Sequence, residues 1–211
     1  MRNIKILQFP IANTFGGITH YALGNWRWMD KKLFQCDFAT MSRSLWFAPD
    51  LERAGSRIHY IPCYAELDPA TFTAAFKEAL SVGYDVVHLH TKYWKGFLVE
   101  KLCMEMGVPK VIVHAHATGC DVRAGEREAE KARHLRVRSE FSESLATDFW
   151  ACSREASDWL FGSRIPKERV KIMRNAIDAG SFRYNAESRA RLREELGLGG
   201  KFVVGSVGRL A

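Results

Sequence analysis

Several features that would assign this sequence to a familiar class are missing from it. No run of about 18 or more apolar residues occurs, so no segment is expected to cross a membrane as a helix. The G-x-G-x-x-G fingerprint of conventional NAD sites is absent, as are the Walker A motif and the G-x-S-x-G turn of hydrolases. The H-E-x-x-H pattern of zinc enzymes is missing too. The function therefore has to be inferred from less familiar patterns.

Cysteine is scarce, and its spacing argues against bridges. The five cysteines are widely separated, odd in number and include no C-x-x-C pair. Reduced, buried thiols are the expected state. The amino-terminal residues go directly into a strand-like pattern and contain no apolar leader of the secretory kind. We therefore expect a cytoplasmic protein.

Positive charge exceeds negative charge by a formal +7, much of it within residues 123–138 and 183–193. Nucleic acid, an anionic membrane surface and phosphate-bearing substrates would all suit such a surface, and so would a solvated helix face without a partner. Trp26, Trp28 and Trp46 could anchor the protein to lipid, although aromatic side chains more often pack inside a domain. Charge alone does not choose between these readings.

Short apolar runs alternate with amphipathic stretches along most of the chain. The predicted strands are Ile4–Phe9, Phe34–Ala39, Arg57–Ile61, Asp85–His90, Lys110–Val113, Asp148–Cys152 and Val170–Met173. The predicted helices are Ile18–Lys32, Pro69–Ser81, Lys95–Met106, Arg127–Ala146, Arg154–Phe161 and Glu187–Leu196, with Asp68 and Ser153 as caps. This alternation is typical of βαβ units. The predicted fold class is α/β, a Rossmann-like three-layer α/β/α sandwich with a mainly parallel sheet.

A glycine-rich break at residues 197–200 follows the last charged helix. Residues 201–209 then form a buried-type strand pattern that runs into a glycine turn. We predict one domain over residues 1–198. Residues 199–211 are expected to be the first strand of a second domain.

Polar and glycine residues follow the first predicted strand, where ligands gather in open α/β sheets. Gly16 and Gly17 would let backbone amides approach a phosphate or a sugar, and the helix start adds partial positive charge. A simple tight turn is the alternative. Asn13, Thr19 and His20 flank this pair as candidate polar groups.

Two neighbouring strands deliver paired histidines to the same edge. His88 and His90 share a face because side chains alternate along a strand, and His114 and His116 repeat the pattern on the next strand. Zinc is one reading, but no carboxylate partner accompanies the histidines, and we predict no metal. Hydrogen bonding to a hydroxyl-rich substrate is the preferred reading, with Lys92 nearby. For the deeper His88 and His114 we expect a structural role in the core.

Six segments, taken in order, resemble the retaining glycosyltransferases of family 4, or group 1, which have two Rossmann-like domains in the GT-B fold. They are Gly16-Gly17, D-V-V-H-L-H at 85–90, V-H-A-H at 113–116, A-C-S at 151–153, V-K-I-M-R-N-A-I-D at 170–178 and G-S-V-G-R-L at 205–210. Members with an H-x-H strand end often build capsular or extracellular polysaccharides. The sequence departs from the family pattern at Thr19, where many relatives carry Glu or Gln, and at Arg174 and Ala176, which replace Pro and Gly.

The resemblance implies that this domain binds the acceptor, while the second domain binds a UDP- or GDP-linked sugar. Gly16 and Gly17 would then approach the donor phosphates. His116 matches the active-site histidine that touches the transferred sugar, and Arg209 matches an arginine that neutralises the leaving diphosphate. The candidates for acceptor binding are Asn13, Thr19, His20, His90 and Lys92.

The same resemblance implies that no cofactor or metal takes part, because helix dipoles and basic side chains replace a cation. The expected acceptor is a glycan, free or lipid-linked, reached by peripheral contact with the inner face of the cell membrane. We expect no nucleic-acid partner. A non-catalytic Rossmann-like module that binds a sugar or nucleotide remains an alternative, as does another GT-B enzyme such as an epimerase.

Overall fold

Seven parallel strands form one sheet in the computed structural model, which describes residues 3–14 and 16–207 of the chain. The strands are β1 Ile4–Phe9, β2 Phe34–Thr40, β3 Ile58–Tyr60, β4 Val86–Thr91, β5 Lys110–Ala115, β6 Asp148–Ala151 and β7 Val170–Ile172. Each overlaps one of the seven predicted strands.

The strand order is β3-β2-β1-β4-β5-β6-β7, so the first strand lies inside the sheet. Its register aligns Gln8 with Phe38 on one side and with His88 on the other. His90 is aligned with His114 on the next strand. The parallel sheet confirms the predicted α/β class, and it places the loops that follow the strands at one carboxyl edge.

The described part of the chain contains seven α-helices, and the first six alternate with the strands along the sequence. They are α1 Gly17–Trp28, α2 Ala48–Arg53, α3 Pro69–Leu80, α4 Leu98–Glu105, α5 Arg127–Ser139, α6 Arg154–Leu160 and α7 Ala186–Glu195. The predicted caps are confirmed: Asp68 accepts from Thr71 N and Ser153 accepts from Ala156 N. Helix α2 was not predicted, and α5 ends before the predicted Ala146 because Phe141 turns fully into the core.

Two hydrophobic cores lie on the two faces of the sheet. On one face, Leu7, Val87 and Val111 pack with apolar side chains of α3, α4 and α6. On the other face, Ile6 and Phe38 pack with side chains of α1 and α2. Because adjacent residues of a strand belong to opposite cores, the sheet is the middle layer of the predicted three-layer sandwich.

The chain divides into two compact units, Met1–Ala176 and Ile177–Ala211. The first contains the whole sheet. The second contains α7, and the side chain of its N-cap residue Asn185 accepts a hydrogen bond from Ser188 N. The predicted strand over residues 201–209 is not formed in residues 201–207, because a strand needs a ladder partner and no described residue pairs with this segment. The proposed domain boundary at residue 198 stays a prediction.

The five cysteines are free thiols, as predicted, but only Cys36 and Cys103 are buried as well; Cys63, Cys120 and Cys152 are partly exposed. Trp26 packs edge-on against Phe38 and donates from Nε1 to Ser56 Oγ at 3.1 Å, which gives it a packing role. None of the helices formed by residues 3–14 and 16–207 has the length and apolar character that a membrane span requires.

Candidate functional site

Ala12, which follows β1, is hydrogen-bonded to the first turns of α1 at the carboxyl edge of the sheet. Thr19, which is 4% exposed, accepts from Ala12 N at 3.1 Å and donates to Ala12 O at 3.2 Å. Its hydroxyl therefore holds the loop, although sequence analysis assigned Thr19 to the acceptor. His20, another predicted acceptor-binding residue, lies exposed on the first turns of α1.

The predicted glycine pair lies at the start of α1. Gly16 caps the helix with extended backbone angles, and Gly17 is its first residue. A Cβ atom at Gly17 would meet no atom of the described residues within 4 Å, whereas one at Gly16 would come within 3.3 Å of Thr14 Oγ1. The space above Gly17 is therefore open to a ligand that approaches the helix amino terminus.

Asn13 joins the β1–α1 loop to the loop after β2. Its backbone N–H donates to Ser42 Oγ at 3.1 Å, and its side-chain oxygen accepts from Trp46 N at 2.9 Å. The amide side chain of this exposed residue is thus already used in fixing the rim. The predicted role in acceptor binding is left to its remaining NH2 group.

Four histidines from β4 and β5 and the segment just after β5 form one cluster, here called the histidine quartet: His88, His90, His114 and His116. His88 Nε2 lies 3.1 Å from His114 Nδ1, and His90 Nδ1 lies 2.9 Å from His116 Nε2. The Tyr21 ring of α1 covers all four, with centroid distances of 4.9 to 6.0 Å. His116 alone among the four is half-buried rather than buried.

The quartet is uncharged at neutral pH. Desolvation lowers the pKa of His88 to about 3, of His114 to about 2 and of His116 to about 4. The pKa of His90 is also lowered well below its ordinary value, first by burial and then by the neighbouring imidazoles. Each ring therefore carries one N–H donor and one bare nitrogen.

His90 makes two hydrogen bonds and is 3% exposed. Its second ring nitrogen, Nε2, lies 2.7 Å from Oε1 of the buried Gln8 on β1. Both ring nitrogens of His90 thus bond protein groups. His90 therefore orients His116 from inside the sheet and is not free to bind an acceptor, the role that sequence analysis predicted for it.

Among the described residues, one group has the donor atoms for a metal ion: His88, His90 and His114, with ring nitrogens within 4.8 Å of one another. Neutral imidazole nitrogens suit zinc and related metals. His114 Nε2 is buried without a hydrogen-bond partner, but His88 and His90 each already share a nitrogen with another quartet member. The expected absence of metal stays a prediction.

An apolar cavity of about 460 Å³ opens at the same edge of the sheet. Its walls come from the ends of β1 and β4 and from the first turns of α3 and α4. Met41 just after β2 and three aromatic residues of the segments before α3 and α4, Tyr64, Tyr93 and Phe97, complete them. Lys95 and Glu66, which also line the cavity, form a salt bridge at 2.7 Å. Such a cavity suits a ligand with an extended apolar part.

Glu100 lies on the cavity wall and is 5% exposed. Burial raises the pKa of its carboxyl to about 7, against a smaller lowering by its own backbone N–H. The wall thus contains a carboxyl group that is half-protonated near neutral pH.

The loop after β4 is fixed by buried hydrogen bonds. Trp94 N donates to His134 Nδ1 at 3.0 Å, and His134 Nε2 lies 3.0 Å from Trp159 O. Lys92, a predicted acceptor-binding residue, is exposed on this loop and bonds Asp121 at 2.9 Å. Its ammonium group is at the rim and within reach of a ligand that displaces Asp121.

The comparison with protein families matches residues 16–176 to the model described as "Glycosyl transferase 4-like domain". The match covers more than half of the chain and includes the glycine pair and the quartet. This chain belongs to the glycosyl transferase 4-like domain family.

The chain is also similar to a curated protein and to solved structures. The chain is 27% identical over 210 residues to "Putative glycosyltransferase EpsF" of Bacillus subtilis (strain 168), covering 97% of this chain and 54% of that protein. Its fold matches that of Anabaena HepE, which was solved with UDP and glucose. The TM-score is 0.66 and the identity 16%, over 99% of this chain and 54% of HepE. A glycosyltransferase from Rickettsia africae ESF-5 matches with a TM-score of 0.65 and 11% identity, over 94% of this chain and 50% of that one. The chain thus spans about half the length of these relatives.

The described part of this chain contains functional candidates that sequence analysis did not find. Gln8, Tyr21 and Glu100 contact the quartet or line the cavity, but each is on an element distant in sequence from the residues that it serves. Gln8 carried one usable signal, since it is a polar side chain within a buried strand. Arg209, the predicted leaving-group residue, lies outside the described residues.

Proposed function

We propose that this chain is the acceptor-binding half of a retaining glycosyltransferase that takes its sugar from a UDP- or GDP-linked donor. The observation that carries the proposal is the position of His116. This half-buried, neutral imidazole lies at the same carboxyl edge as the open helix start at Gly17, within a domain of a glycosyltransferase family. A sugar hydroxyl could thus meet the imidazole while the donor phosphates face the helix start.

On the donor side, the backbone at Gly16 and Gly17 approaches the diphosphate, where the partial positive charge of α1 favours negative groups. His116 hydrogen-bonds the transferred sugar near the reacting carbon. Arg209 stabilises the departing diphosphate. The UDP and glucose in the HepE structure support a nucleotide sugar as the donor.

On the acceptor side, the apolar cavity receives part of a lipid-linked glycan in polysaccharide synthesis. The exposed apolar side chains of Tyr64 and Leu67 lie in the segment that contributes to the cavity mouth. Such residues, with the excess of positive charge, favour peripheral contact with an anionic membrane at its cytoplasmic face. Asn13, His20 and Lys92 are polar groups at the rim for the glycan.

Calorimetric titration of the complete protein and of the 211-residue chain with a panel of UDP- and GDP-sugars tests this proposal. We expect the complete protein to bind one nucleotide class and the 211-residue chain to bind none, because most donor contacts belong to the second domain. Binding by the 211-residue chain at equal affinity would instead support a sugar- or nucleotide-binding module. No binding by the complete protein to any member of the panel would overturn the donor assignment.

A further inference from the structure

The quartet contains a chain of three side chains whose hydrogen-bond directions depend on one another. Gln8 Oε1, His90 and His116 are joined by contacts of 2.7 and 2.9 Å, and the first two residues are buried. A carbonyl oxygen can only accept, so the His90 nitrogen that faces it must carry the proton. The direction of the first bond then determines that of the second.

The orientation of the Gln8 amide is given by its contact with His90. The amide oxygen Oε1, and not the NH2 group, lies 2.7 Å from His90 Nε2. Gln8 is 1% exposed, so this bond is made away from solvent, inside the sheet.

We propose that Gln8 sets the tautomer of His116 through His90, so that His116 presents a bare Nδ1 to a hydroxyl or N–H group of the sugar ligand. A neutral His90 that donates from Nε2 has an unprotonated Nδ1, which accepts from His116 Nε2–H. A neutral His116 that donates from Nε2 has its lone pair on Nδ1. No described residue bonds that nitrogen.

This tautomer determines which ligand groups His116 can recognise. A bare nitrogen accepts from a sugar hydroxyl or an acetamido N–H, but it repels a phosphate or carboxylate oxygen, which has no proton to give. His116 is therefore a sugar-recognition group and not part of the phosphate site. Gln8 and His90 are positioning residues that act through it. The identity of the ligand rests on the proposed function, whereas the tautomer does not.

Long-range ¹H–¹⁵N NMR of the imidazole rings in the 211-residue chain tests the inference without any substrate, with His90→Gln and His116→Gln used to assign the signals. We expect His90 and His116 both to carry their proton on Nε2. In Gln8→Met, His90 loses its acceptor, and a buried N–H without a partner costs about 1–3 kcal/mol. The chain of bonds should then reverse, with the His116 proton moving to Nδ1.

The matched control is Gln35→Met, the same substitution at a half-buried site on β2 whose amide bonds only the Asp37 carboxylate. It should leave the quartet tautomers unchanged. A proton on Nδ1 of His116 in the unmodified chain would overturn the inference, and that measurement decides the question even if Gln8→Met does not fold. Unchanged tautomers in a folded Gln8→Met variant would overturn it as well.

A turnover assay separates this inference from the proposed function. If the complete protein transfers sugar, Gln8→Met should lower kcat/KM about tenfold, as expected for one hydrogen bond, and Gln35→Met should not. Unaltered turnover in Gln8→Met would contradict the role of the tautomer in recognition. If the tautomers are as expected but no nucleotide sugar is turned over, the proposed function fails and the assignment of protons stands.

Discussion

Two glycines of the same helix have room for a methyl group beside the described residues. A Cβ atom at Gly17, the first residue of α1, would meet no described atom within 4 Å, and the same holds for Gly24 in the middle of α1. Neither residue has a positive φ. Alanine is therefore sterically acceptable at both positions, and any difference between the variants has to come from a ligand.

Gly17→Ala should leave the free energy of unfolding within about 0.5 kcal/mol of the original and weaken nucleotide-sugar binding at least about tenfold. The reason is that the new methyl group occupies the space through which the phosphates approach the helix start. Calorimetry on the complete protein, with a nucleotide sugar that binds it, measures the effect. Gly24→Ala serves as the control and should stabilise the helix by about 1 kcal/mol without changing affinity. Equal affinities in both variants would exclude Gly17 from the donor site.

At the scale of the elements, the first turns of α3 and α4 and the strand ends enclose the cavity. Ala65 lines it, whereas Leu67 in the same segment does not and is 76% exposed. These two positions allow the same substitution to be placed inside and outside the cavity.

Ala65→Trp should fill the cavity and abolish binding of an apolar fluorescent dye such as ANS to the folded chain. Leu67→Trp should leave dye fluorescence close to that of the unmodified chain, because the added indole lies at an exposed position outside the cavity. Circular dichroism confirms that both variants are folded. Equal fluorescence from the two variants would show that the dye, and by extension an apolar acceptor, binds elsewhere.

The inner strands β1, β2, β4 and β5 were predictable from sequence because each is a short apolar run bounded by turn residues and largely buried, whereas the edge strands β3 and β7 are only three residues long and mostly half-buried or exposed. Helix α2 was missed because it has only six residues and follows Trp46-Phe47, which have no helical period. The segment 201–207 was misread because an apolar run indicates a strand only where a partner strand is available. An apolar sequence pattern indicates which side chains are stabilised by burial, but it does not identify the strand or helix that packs against them.

The part of the candidate site that could be predicted from sequence is the part formed by neighbouring residues of a single strand. The period of two along β4 and β5 correctly placed His88 and His90 on one face, facing the second pair. Gln8 could not be linked to them from sequence, because its alignment with His88 depends on the order of strands in the sheet. The reassignment of His90 from the acceptor to a supporting role follows from that same register.

At the scale of the whole molecule, the neutral quartet ties stability to pH. A histidine whose pKa is lower in the folded state contributes stability that is present above its unfolded pKa and lost as pH falls toward the folded value. For His88, His114 and His116 the pH range over which this stability is lost begins near pH 6.5 and extends down to about pH 4 or below. Glu100 acts in the opposite sense, because its raised pKa favours the folded state below pH 7.

The free energy of unfolding should therefore decrease as pH falls from 7.5 to 5.5, since several histidines outweigh one glutamate. Each buried histidine contributes about 1 kcal/mol over the unit below pH 6.5. Urea titrations at the two pH values measure the slope, which His88→Gln should make shallower. Gln35→Met, a substitution that removes no titratable group, is the control and should leave the slope unchanged. A stability that rises or stays level on acidification would contradict the neutral quartet.

The position of β1 inside the sheet has a consequence for synthesis of the protein. Lys5 N of β1 donates to the Asp85 carboxylate, 80 residues further along the chain. At about 5–20 residues per second, a ribosome needs about 4 to 16 s to make that partner. Until then one edge of an apolar strand is open to strands of other nascent chains. Slower translation between residues 40 and 86 would prolong this exposure, so the yield of folded protein should depend on how quickly that stretch is made.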